Sequence, residues 1–132
     1  MKRALLPWLL VAIHLATVFH LSSQPNPLPE FTARFWDKGL HFFEYGTLGA
    51  LLVLALRASG VRGAGALLLA VAGASLYGAS DELHQALVPG RSCEFLDWLA
   101  DTLGGAAGAA LFALALRASR APASIRRALG RG

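Results

Sequence analysis

Among its 132 residues the chain has a single cysteine, Cys93, and a single methionine. One cysteine can form no intramolecular disulfide and no multi-cysteine zinc site. Charge is equally scarce: Asp, Glu, Lys and Arg make up 15% of the residues, against 55% hydrophobic ones, at a mean hydropathy of +0.52. An average soluble domain carries about 25% charge and breaks its apolar runs more often, so that class is excluded. No His-Glu-x-x-His pair and no serine-centred nucleophile motif is present, which removes the common metalloprotease and hydrolase signatures.

Long apolar runs are what the chain does have. Four are expected to span a membrane, at about 4–21, 39–56, 64–80 and 95–116, the third able to continue as helix through Leu87. The first gives about 27 Å of helix, and Pro7 near its start is tolerable there. Lys2-Arg3 before an apolar run also resembles a signal peptide, but Phe19-His20-Leu21 stands where small residues would mark cleavage. A retained span is therefore expected. Three prolines within Gln24–Pro29 break the helix into an extended loop, and Phe35-Trp36 reads as an interfacial anchor. The fold class expected is all-α, a four-helix polytopic membrane bundle formed by one domain over 1–132, with a mobile basic tail over 117–132.

Charge sign is sorted along this pattern. All eight acidic residues, Glu30, Asp37, Glu44, Asp81, Glu82, Glu94, Asp97 and Asp101, lie in or beside the first and third connections. Nine of the twelve basic residues lie on the other side. The positive-inside rule then places both termini in the cytoplasm and the acidic cluster outside a bacterial cytoplasmic membrane. The net charge of +4 does not point to nucleic acid, because the basic residues hug the ends of apolar runs, where they anchor spans and meet anionic lipid.

Three local patterns converge on the outer level. Asp37-Lys38-x-x-His41-Phe42-x-Glu44-Tyr45 sets Asp37, His41 and either Glu44 or Tyr45 on one helix face. Asp81-Glu82-x-His84-Gln85 precedes Pro89-Gly90-Arg91, and Asp97 and Asp101 lie one turn apart. Ionisable groups near hydrocarbon are costly, so these should face the bundle interior and pair with one another. The candidate binding residues are Asp37, Lys38, His41, Glu44, Tyr45, Asp81, Glu82, His84, Gln85, Arg91, Asp97 and Asp101. Lys38 and Arg91 suit a phosphate or carboxylate, Gln85 a hydrogen bond, and Asp37 is placed to fix the His41 ring. A metal site from His41, Glu44, Asp81, Glu82 or Asp97 is chemically feasible, since imidazole with carboxylates suits zinc or manganese, yet no recognised ligand spacing occurs, so no metal centre and no cofactor is expected. Gly104 and Gly108 form a small-xxx-small face for close helix contact, and Gly46 and Gly49 are read in the same way.

At these residues the chain resembles the VanZ-like family of small bacterial membrane proteins. The resemblance rests on Asp37-Lys38-x-x-His41-Phe42-x-x-Tyr45, on Asp81-Glu82-x-His84-Gln85 with Val88-Pro89-Gly90-Arg91, and on Asp97 followed by Thr102-Leu103-Gly104 and Gly108. These blocks keep their order over about 37–108. Asp101 stands where the family more often has Asn, and Ser92-Cys93-Glu94 reads as ordinary loop. The resemblance implies an association with lowered sensitivity to the glycopeptide teicoplanin, with little effect on vancomycin.

The leading functional expectation is an outer polar pocket that engages an envelope lipid or a lipophilic glycopeptide. The partners expected are membrane lipids, with a lipid-linked envelope precursor or the glycopeptide as ligand. From another class comes a membrane-embedded enzyme acting on such a precursor, with His41 or Glu82 as general acid or base, with or without a metal. A third reading is a network that only pins the helices together. The sequence leaves binding and catalysis both open.

Overall fold

The computed structural model describes residues 2–25 and 35–119, with side chains over 3–25 and 38–119. Among them run four α-helices and no strand: α1 (Lys2–Ser22), α2 (Phe35–Ala58), α3 (Gly63–Gln85) and α4 (Phe95–Ser119). The proline-rich stretch 26–34 and the tail from 120 lie outside the described residues, as do the side chains of Phe35, Trp36 and Asp37.

The helices have 21 to 25 residues, or about 32 to 38 Å, enough to cross a hydrocarbon layer of about 30 Å. All four are long and apolar enough to span a membrane. Their large apolar side chains are turned outward: Leu6, Leu68, Leu76 and Leu111 are all more than 60% exposed. A soluble bundle would hide these groups and show its charges. Here the packed interior is built instead from small residues and a few larger ones. Val11, Val18, Tyr45, Leu48, Ala55 and Ala74 form one cluster, and Val53, Ala70 and Ala109 another. The protein is a multi-pass membrane protein.

The most extensive contact is between α2 and α4. Glycines make it possible. A Cβ added at Gly108 would overlap the Gly46 backbone, one at Gly49 the Gly105 carbonyl, and one at Gly104 the Phe42 carbonyl. The small-residue face expected on α4 thus meets its counterpart on α2, backbone against backbone.

The expected and observed helices differ at their ends. The apolar run of α3 ends near residue 80 and the helix is able to continue through Leu87; the structure carries it on to Gln85. Two features explain the extension. Gln85 Nε2 donates to Asp81 Oδ2 at 2.9 Å, one turn back, and no helix breaker occurs before Pro89. Asp81, Glu82, His84 and Gln85 consequently project from a rigid helix rather than a loop. At the other end of the bundle, Gly60 closes α2 with φ of 96°. There the Val61 amide donates to Leu56 O at 3.0 Å and the Gly60 amide to Arg57 O at 3.1 Å.

Candidate functional site: a buried polar centre at one end of the bundle

Because the chain runs up and down, the C-terminal ends of α1 and α3 meet the N-terminal ends of α2 and α4. The acidic side chains described, Glu44, Asp81, Glu82, Glu94, Asp97 and Asp101, all belong to this end. Arg3, Arg57, Arg62 and Arg117 belong to the opposite one. The polar groups here are not a solvated rim: His41, Asp81, Glu82, Gln85, Asp97 and Asp101 are all buried.

A histidine–carboxylate contact and an ammonium–carboxylate pair tie α2 to α4. His41 Nδ1 lies 2.9 Å from Asp101 Oδ1. Lys38 Nζ donates to Asp97 Oδ1, and to Glu94 Oε2 at 3.0 Å. Lys38 is thereby neutralised by two carboxylates. Asp101 is fully buried because α3 has no side chain at Gly78, where an added Cβ would come within 2.8 Å of Asp101 Oδ2. A glycine on one helix makes the hole that a carboxylate from another fills.

A second chain of bonds runs from α1 through α3 to the loop before α4. Ser22 Oγ donates to Asp81 Oδ1 at 2.6 Å, and Gln85 Nε2 donates to the other oxygen of Asp81. Gln85 Oε1 in turn accepts from Arg91 Nε at 3.2 Å and Nη2 at 2.7 Å. Arg91 therefore meets a neutral carboxamide, and among the described residues no carboxylate pairs with it. The Pro89-Gly90 turn, with φ of 81° at Gly90, brings the guanidinium back over the end of α3.

Glu82 has a structural task. Its Oε2 accepts the Glu94 amide at 2.8 Å, just ahead of α4, where helix donors lack partners of their own. Its Oε1 is buried with no hydrogen-bond partner among the described residues, as are Asp101 Oδ2 and Tyr45 Oη. Buried polar atoms are nearly always paired, so three orphans in one region call for a physical reason. His41, Glu82 and Asp97, one residue from each of three helices, bring ligand-type atoms within 4.8 Å of one another.

Most of the residues expected from the sequence meet in this centre, with distinct placements. His41, Asp81, Glu82, Gln85, Asp97 and Asp101 form its buried part, and Lys38 and Arg91 its cations. Tyr45 is buried in the core below, tilted against Tyr77 at 6.3 Å between ring centres. Glu44 is half-buried, and its backbone carbonyl lies 3.1 Å from His14 Nε2. His84 stacks on Phe19 at 4.6 Å and lies 3.0 Å from Ser23 Oγ, so it faces α1. Asp101 holds the His41 ring through Nδ1, and the side chain of Asp37 lies outside the described residues. Sequence reading overlooked Ser22, Ser23 and Glu94. Glu94 had looked like plain loop, yet it pairs with Lys38 and its amide is held by Glu82. A hint was available in its position immediately before the apolar run of α4, where capping residues occur.

Beneath the centre, an apolar groove of about 430 Å³ runs between α2 and α4, lined by Phe42, Phe43, Gly46, Thr47, Gly108 and Phe112 among others. Fold and site together define a small multi-pass helical membrane protein with a buried charged centre at one membrane face. The chain belongs to the VanZ/LLP1 family, whose profile matches residues 5–116. No curated protein and no solved structure matches it.

Proposed function

We propose that the polar centre faces the outside of a bacterial cytoplasmic membrane and engages the anionic group of an envelope lipid or of a lipophilic glycopeptide. Arg91 carries this reading. Its guanidinium is aimed by Gln85, which takes two of its N–H groups and offers no charge in return. A cation fixed by a neutral partner keeps its full attraction for a phosphate or carboxylate, and its remaining donors suit such oxygens. Lys38, spent on Asp97 and Glu94, stabilises the centre instead.

Charge placement supports the orientation, with Arg57, Arg62 and Arg117 at the other end as cytoplasmic anchors. The groove between α2 and α4 suits an acyl chain, which separates teicoplanin, an acylated glycopeptide, from vancomycin. Lowered teicoplanin sensitivity is the form this activity takes if the family association extends to this chain.

The test is ligand-dependent melting of the purified chain in detergent, comparing wild type with Arg91→Gln and with Arg57→Gln at the opposite end. Phosphatidylglycerol raises the wild-type Tm above the phosphatidylcholine value, Arg57→Gln keeps most of the increment, and Arg91→Gln loses most of it. A shift with teicoplanin and none with vancomycin assigns the glycopeptide as well. Equal increments in all three proteins, or no response to any anionic ligand, overturn the reading.

A further inference from the structure

The orphaned Oε1 of Glu82 and the meeting of His41, Glu82 and Asp97 have one explanation in common. The geometry points to a divalent-cation site at His41, Glu82 and Asp97, of the mixed nitrogen and oxygen type that takes Zn²⁺ or Mn²⁺. This inference stands independently of the anionic-ligand reading.

The observations are of three kinds. First, the candidate ligand atoms lie within 4.8 Å of one another and come from α2, α3 and α4, so the packing of the bundle assembles them. All three residues are buried, where a carboxylate without a counter-charge is costly. Second, Glu82 is 3% exposed, gives one oxygen to the Glu94 amide and leaves Oε1 without a donor. Asp101 likewise leaves Oδ2 without one. Third, the described end of the bundle carries the six carboxylates of Glu44, Asp81, Glu82, Glu94, Asp97 and Asp101 against the cations Lys38 and Arg91. A divalent ion offsets part of the negative charge that these described residues carry.

The surroundings have the form of a metal site's outer shell. A ligating histidine usually gives its other ring nitrogen to a carboxylate, which fixes the ring and raises its basicity, and Asp101 stands at His41 Nδ1 at 2.9 Å. Ligating carboxylates are in turn hydrogen-bonded, as Glu82 is by the Glu94 amide and Asp97 by Lys38. Imidazole with two carboxylates suits Zn²⁺ or Mn²⁺ better than the all-oxygen preference of Ca²⁺ and Mg²⁺. Three protein ligands leave a coordination position for water or an anion.

The experiment uses the full chain in a Cys93→Ser background, because an exposed thiol would itself bind zinc. The protein is purified in detergent, stripped with EDTA and titrated with Zn²⁺ and with Mn²⁺ by calorimetry. One ion per chain is expected, with affinity at least tenfold lower in Glu82→Gln and in Asp97→Asn and unchanged in His20→Ala, which removes an exposed histidine. X-ray absorption on the loaded chain, free of these ligand substitutions, gives a reading that does not depend on whether the variants fold. One imidazole nitrogen among oxygen ligands at about 2.0–2.2 Å supports the site. A folded chain that binds no ion, variants that bind as the parent does, or a spectrum without imidazole overturns it and leaves protonation as the means of burying these carboxylates.

Discussion

At the scale of single residues, the centre is a set of buried acids whose partners differ in kind. Asp81 is satisfied by neutral donors, Asp97 by an ammonium, Asp101 by an imidazole, and Glu82 by a backbone amide. Asp101 is the most demanding, being wholly buried with one oxygen unpaired. Asp101→Asn keeps an acceptor for His41 while removing a buried charge, and a neutral orphan costs less than a charged one. This variant is expected to melt at or above the wild-type temperature in detergent, whereas Asp101→Ala loses about 3–5 kcal/mol by stripping the His41 partner. A loss in the Asn variant as large as in the Ala variant would show that the charge itself holds the centre together. That acids at the ends of apolar runs would turn inward was legible in the sequence, and Asp81, Glu82, Asp97 and Asp101 do so, whereas Glu44 is only half-buried. Which partner each would find was not. His41 and Asp101 are 60 positions apart, and Ser22 and Asp81 are 59 apart, so helix rotation and tilt decide the pairs.

Helices α2 and α4 show how small residues position chemistry. Their backbones touch through Gly46, Gly49, Gly104, Gly105 and Gly108, and this closeness lets His41 reach Asp101 and Lys38 reach Asp97. Gly108→Ala forces a methyl group into the Gly46 backbone and is expected to cost about 1–3 kcal/mol or more, with a clear fall in Tm. Gly39→Ala meets nothing within 4 Å and removes a weak helix former, so a gain of up to about 1 kcal/mol is expected. Thermal unfolding of both variants in one detergent checks the pair, and equal effects would mean that backbone contact at Gly108 is unimportant. The glycine faces were legible from their spacing. The continuation of α3 past the apolar run was legible too, as a helix able to run on through Leu87, but its end at Gln85 was not, since that depends on how the polar residues pair.

The described bundle has outward-facing leucines, an acidic, buried polar centre at one end and arginines at the other, and this polarity links the fold to the proposed function. Four spans could be read from hydrophobic runs alone, because spanning a bilayer imposes length and composition directly. His41, Glu82 and Asp97 could be named among candidate ligands, but their selection over Glu44 and Asp81 could not, because the three sit on different helices and share no local spacing. The proposed function requires that the end holding this trio and Arg91 face outward. Cys93, the lone cysteine, is exposed in the loop between Arg91 and Glu94 and reports on that end. The measurement is labelling of intact cells expressing the wild-type chain with a membrane-impermeant maleimide, with Cys93→Ser as the blank. Labelling without permeabilisation is the expected result. Labelling that requires permeabilisation would place the centre in the cytoplasm and contradict an outer-face role.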